Sequence, residues 1–154
     1  MGLTEVAQES DAAVRAARAR LVDAVREAHR SGMTQQQIGR AIGRSQPEVS
    51  RLIHFHGTTP LAKRLIAARQ TVVDTIRAAG GRNVRVFGSV AAGADTEDSD
   101  VDLLFDMQRP LGLMALERVA DQVAAHVGAD IDLVPIQALR PDVRDRVLAE
   151  AVPL

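Results

Sequence analysis

Two aspartates, Asp100 and Asp102, stand two residues apart in the otherwise apolar run DVDLLF, eleven and thirteen residues after Ser89. Strand alternation puts residues i and i+2 on one face, so both carboxylates project together. Like charges so placed repel unless a cation lies between them. Oxygen-only donors with no Cys or His nearby favour Mg²⁺ or Mn²⁺ over zinc. Upstream, Gly88 admits the close approach of a backbone or a phosphate, and Ser89 offers a hydroxyl and an amide to a phosphate oxygen. A Gly-Ser turn alone is usually only a turn, and an Asp-x-Asp pair alone is usually a solvated edge. Together they are the equipment for metal-assisted nucleotidyl transfer from ATP or another NTP.

These residues need strands to hold them. The residues at 83–87 form a short β-rich run ending at Gly88-Ser89. A loop of small and acidic residues follows, in which Asp95, Glu97 and Asp98 read as solvated charges. A second strand is expected at 100–105, with Asp106 meeting solvent at its far end, and a third at 130–134. Leu61, Leu65, Ala68, Val72 and Ile76 predict one helix from Thr59-Pro60 to the Gly80-Gly81 stop. Leu116, Val119, Val123 and Val127 mark another helix, and Pro141 opens a last one toward Glu150. This order predicts a small α/β (α+β) domain around one short mixed sheet.

Residues 1–58 read differently. Val14, Ala17, Leu21, Val25 and Ala28 recur at helical spacing, predicting one amphipathic helix from near Ser10 to Ser31-Gly32. Thr34-x-x-Gln37 and Ser45-x-x-Glu48 each suit a capping box, which predicts two short helices around a turn at Gly43. Two such helices joined by a tight Gly-containing turn make a helix-turn-helix. Its second helix would expose Gln46, Ser50 and Arg51, with Arg44 just before it. Gln and Arg can read base edges, while Ser and Arg suit phosphates, so these four residues are the candidate DNA contacts. The competing reading is a three-helix packing or dimerisation unit. The stretch TQQQIGRAIGRSQPEVSRLI resembles the helix-turn-helix of bacterial repressors and sigma factors.

Composition supports two small domains, 1–58 all-α and 59–154 with the sheet. The first carries eight Arg against six acids and the second eleven bases against fourteen acids. The near balance of 19 bases and 20 acids excludes a polybasic binder. No run of about 18 apolar residues suggests a membrane span, and the acidic start lacks an apolar signal core. Zero Cys removes thiolate metal sites and cysteine nucleophiles, and fits a cytoplasmic protein. The absence of Trp and Tyr argues against aromatic base-stacking platforms.

Gly88-Ser89, Gly93 and Ser99-Asp100-Val101-Asp102-Leu103 together resemble the signature of the DNA polymerase beta-like nucleotidyltransferases. The short chain beyond the sheet resembles the minimal nucleotidyltransferases of prokaryotes. That resemblance, over about residues 60–154, implies a third carboxylate on a later strand. Ile131-Asp132-Leu133-Val134 matches the place; Asp130 is the alternative, and Asp132 is favoured by its apolar neighbours. The resemblance further implies that Asp100, Asp102 and Asp132 are the catalytic metal ligands, and that Gly88 and Ser89 bind the nucleotide. Several such proteins are antitoxins that add a nucleotide to a HEPN-type toxin, so a protein partner is implied. Many relatives carry Arg immediately before the second Gly, where this chain has Ala92; Arg82 and Arg85 are the nearby candidates to compensate.

Two functions compete. One is a working nucleotidyltransferase, the antitoxin of a toxin–antitoxin pair, whose helix-turn-helix binds its own operator DNA. The other is a helix-turn-helix regulator whose second domain senses nucleotide or neutralises a toxin without catalysis. A homo-oligomer is compatible with either.

Overall fold

The computed structural model of the chain describes residues 2–154, which divide into two compact units, Met1–Ile53 and His54–Leu154. The division falls before the turn at 57–60, because Phe55 is buried in the core of the second unit.

The first unit is three helices: α1 (Leu3–Arg30), α2 (Gln35–Ile42) and α3 (Gln46–Ile53). α1 starts seven residues before the expected Ser10. The Gly2 amide donates to Glu5 Oε2 at 3.0 Å, which satisfies a donor at the true helix start and leaves Ser10 inside. α2 is capped as expected: Gln37 N donates to Thr34 Oγ1 at 3.1 Å, and Thr34 N to Gln37 Oε1 at 2.9 Å. Glu48 and Ser45 make the same reciprocal pair at the start of α3. Val25, Ile38, Val49, Leu52 and Ile53 form the small core of this unit. The turn between α2 and α3 passes close to α2, and a Cβ at Gly39 would lie 2.5 Å from the Arg44 carbonyl oxygen.

The second unit runs α4 (Pro60–Ala67), α5 (Arg69–Ala78), β1 (Gly81–Phe87), α6 (Gly88–Ala92), β2 (Val101–Met107), α7 (Leu113–Val127), β3 (Ile131–Pro135), α8 (Pro141–Glu150) and β4 (Val152–Pro153). The four strands make one mixed sheet in the order β3-β2-β1-β4, antiparallel except for the parallel pair β2–β3. On one face, Val101, Leu103 and Phe105 of β2 share a core with Val72, Ile76, Val119, Val123 and Val127. On the other, Leu104 is buried with Val147 and Ala151.

Two expectations are corrected here, and one strand is added. The single helix expected over 60–80 is two, broken at Ala68, whose φ −90°, ψ 3° lies off the helical track. Apolar spacing runs straight through the break because both helices turn the same side to the core, so periodicity could not reveal it. The loop after Gly88-Ser89 opens with the helical turn α6, closed by Gly93 at φ +72°. Residues 152–153 form a strand on the β1 edge, too short for any alternating pattern to announce.

Candidate active site

The sheet register assembles the candidate site. Phe87, the last residue of β1, is the register partner of Asp102 on β2, and Asp102 is in turn the partner of Asp132 on β3. The Gly88 turn and two carboxylates therefore meet at one end of three adjacent strands. Asp102 and Asp132, directly opposite in register, lie on the same sheet face, the face that carries Leu104. Asp100 lies one residue before β2 rather than within it: the strand begins with Val101, whose amide donates to Asp130 O at 2.9 Å. The loop leading to Asp100 is closed by Thr96 N donating to Ser99 Oγ at 2.8 Å and Ser99 N to Thr96 O at 3.1 Å. Ser99, part of the recognised signature, thus shapes the approach to the first carboxylate.

Asp102 is half-buried and its carboxyl is pushed up from the ordinary carboxylate value to about 6. Burial is the main cause, followed by the charges of Asp132 and then Asp100. Asp102 thus feels the charges of the other two carboxylates, and none of the three has a hydrogen-bond or ion-pair partner among the described residues. Gly88 has φ +70°, and a Cβ there would overlap Asp102 Oδ2, so the backbone turn sits directly against the carboxylate. Among the described residues, no three acids or histidines converge at metal-ligand spacing. The donor chemistry nonetheless suits a hard divalent cation: oxygen-only, mutually repelling and unpaired. Asp130 contributes its backbone carbonyl to the start of β2, and its side chain is not among the charges acting on Asp102.

Other acidic residues behave differently from expectation. Asp106 does not simply meet solvent: it accepts from Arg85 Nη2 at 3.0 Å and Asn83 Nδ2 at 2.6 Å. Asp95, expected as a solvated charge, has a buried Oδ1 with no partner. The Arg85 pairing also bears on the question raised by Ala92. Arg85 is held toward the far end of β2, and Arg82 lines a separate cavity of about 600 Å³ with Arg77, Gly80 and Arg109. Ala92 itself is exposed.

In the first unit, Arg44, Gln46 and Arg51 are exposed and Ser50 is half-buried on and before α3. Glu48 is held by Ser45, whose amide and hydroxyl lower its pKa. Arg44 and Arg51 consequently have no acidic partner within salt-bridge distance among the described residues.

Among the described residues, no helix is long and apolar enough to cross a membrane. A family model described as the nucleotidyltransferase domain matches residues 70–154. The protein adenylyltransferase MntA of Thermococcus cleftensis is 36% identical over 73 residues, which cover 47% of this chain and 74% of that protein. A protein of Methanocaldococcus jannaschii assigned as a protein adenylyltransferase is 26% identical over 84 residues, 54% of this chain and 90% of that one. A solved structure assigned as a minimal nucleotidyltransferase superposes with TM-score 0.56 at 38% identity, covering 62% of this chain and 97% of its own. With the signature residues 88–103 and Asp132 inside the matched region, the chain belongs to the nucleotidyltransferase-domain family and is a nucleotidyltransferase of the minimal, MntA-like type.

Proposed function

We propose that this chain transfers a nucleoside monophosphate from an NTP, ATP foremost, to a hydroxyl of a protein partner, and that the partner is a HEPN-type toxin. The observation that carries this reading is the coupling of Asp102 to Asp132 and Asp100 beside the Gly88 turn. A solved structure described as a toxin–antitoxin with AMP-PNP shares the fold, at TM-score 0.50 and 20% identity. Asp100 and Asp102 would hold Mg²⁺ or Mn²⁺, with Asp132 completing the set. Such an ion supplies charge neutralisation for the triphosphate when bound. Gly88 and Ser89 orient the phosphates, their amides and the Ser89 hydroxyl donating to phosphate oxygens. Asp132 accepts the proton of the acceptor hydroxyl. The hydroxyl oxygen bonds to the α-phosphorus, the bond from that phosphorus to the bridging oxygen breaks, and pyrophosphate leaves.

In the same reading, residues 1–58 are a helix-turn-helix domain and 59–154 the catalytic domain of a cytoplasmic antitoxin. Arg44, Gln46, Ser50 and Arg51 would contact operator DNA; three of them are exposed, and neither arginine forms an ion pair among the described residues, though both lie near the Glu48 charge. One observation favours a second reading, a regulator that senses nucleotide or neutralises a toxin without catalysis. Position 92 is Ala, while Arg85 pairs with Asp106 and Arg82 lines a separate cavity. Incubation with α-labelled NTPs, Mg²⁺ and the product of the neighbouring gene tests the two. Label on the partner, lost in Asp100→Asn/Asp102→Asn, is expected. Full transfer by that double variant refutes the site, and no transfer by the parent under any NTP selects the second reading.

A further inference from the structure

The 28-residue α1 is far longer than the core it serves. Every residue from Gly2 to Arg20 is exposed, and α1 meets the small core only from Leu21 onward, through Leu21, Val22, Val25 and Ala28. The free stretch of 18 residues is about 27 Å long at helical rise. It is not uniformly polar: Leu3 is 90% exposed and Val14 65%. Leu3, Ala7, Ser10, Val14, Ala17 and Leu21 follow one another at steps of four, three, four, three and four, which is the spacing of a coiled-coil seam. The small residues within it let a second helix approach closely.

The charges on this stretch are segregated. Glu5, Glu9 and Asp11 occupy its first half and Arg15, Arg18 and Arg20 its second, and none of the six makes an ion pair among the described residues. A parallel copy would set acid against acid and Arg against Arg. A copy running in the opposite direction, crossing near Val14, sets Glu9 and Asp11 of each chain beside Arg18 and Arg20 of the other. Isolated helices of this length are marginal in water, and a partner along the seam supplies the missing burial.

We propose that residues 8–20 of α1 are a homodimerisation arm, paired antiparallel with the same arm of a second copy. The proposal is independent of the catalytic and DNA-binding readings. Sedimentation of the full chain at tens of micromolar tests it, with an expected mass twice the 16.5 kDa of one chain. Glu9→Arg/Asp11→Arg alone and Arg18→Glu/Arg20→Glu alone should each give the single-chain mass, and the fourfold variant combining them should recover the pair. Because the chain has no Cys, a single introduced thiol reports direction. Val14→Cys should join to its own copy through a short bis-maleimide, and Leu3→Cys should not. A single-chain mass for the parent, indifference to the charge reversals, or equal joining at positions 3 and 14 overturns the proposal.

Discussion

The carboxylate of Asp102 occupies the space that a side chain at position 88 would need, and Gly88 holds φ +70° beside it. Gly88→Ala therefore combines a left-handed backbone with a methyl group forced into a carboxylate. The variant should lose about 1–3 kcal/mol of stability, read as a lower midpoint in urea unfolding. An unchanged midpoint would show that the turn is free to move off Asp102.

Asp102 carries its proton more tightly folded than unfolded, with a folded value about 6. Its ionisation thus opposes folding above that pH, and the opposition fades as pH falls from about 6 toward the ordinary carboxylate value. In EDTA, Asp102→Asn should be more stable than the parent at pH 7.5, by about 1 kcal/mol once solvent screening is allowed for. Thermal unfolding of both proteins from pH 4 to 8 checks this: the two curves should converge at the acid end. A constant gap across the range would show that burial and the neighbouring charges do not raise the Asp102 value.

Position 92 offers a gain rather than a loss. Ala92 ends α6, is exposed and is followed by Gly93, around which a Cβ would meet nothing within 4 Å. Ala92→Arg should tighten NTP binding about tenfold in the presence of Mg²⁺, the worth of one charge-assisted hydrogen bond of about 1.5 kcal/mol. Equal affinity in calorimetric titrations would mean that residue 92 does not face phosphate.

On α3, Gln46→Ala should weaken binding to the chain's own promoter by about 1–3 kcal/mol and do so only for the correct sequence. Arg51→Ala should instead weaken binding to all sequences and flatten its salt dependence. Transfer chemistry should be untouched in both. Gel-shift titrations at two salt concentrations distinguish the patterns, and parental affinity in both variants excludes DNA contact by this helix.

Strand alternation made the direction of Asp102 legible in the sequence, whereas Asp100 falls one residue before β2, where alternation does not govern it. The preference for Asp132 over Asp130 rests on its apolar neighbours, and in the sheet Asp132 is the register partner of Asp102. The fate of Asp106 was not legible. Its partners Arg85 and Asn83 come from β1, where a register shift between Arg82 and Arg85 and the left-handed Asn83 break the alternation. Caps written as Thr34-x-x-Gln37 or Ser45-x-x-Glu48 could be read directly, being local chemistry. Gly2 with Glu5 escaped notice because a glycine amide bonding a carboxylate leaves no side-chain signal at the cap itself.

The two-residue strand β4 has a consequence for the newborn chain. Val152 and Pro153 cover the outer edge of β1, the Leu154 amide donates to Val84 O at 3.0 Å, and Pro153 O accepts from Phe55 N at 2.6 Å. During synthesis the β1–β2 hairpin can form long before those last residues leave the ribosome. At roughly 5–20 residues per second, the edge of β1 stays uncovered for seconds, with its backbone donors and acceptors open to any passing strand. The interval in which this domain is most prone to stick to its neighbours on a polysome is therefore set by when residues 152–154 emerge.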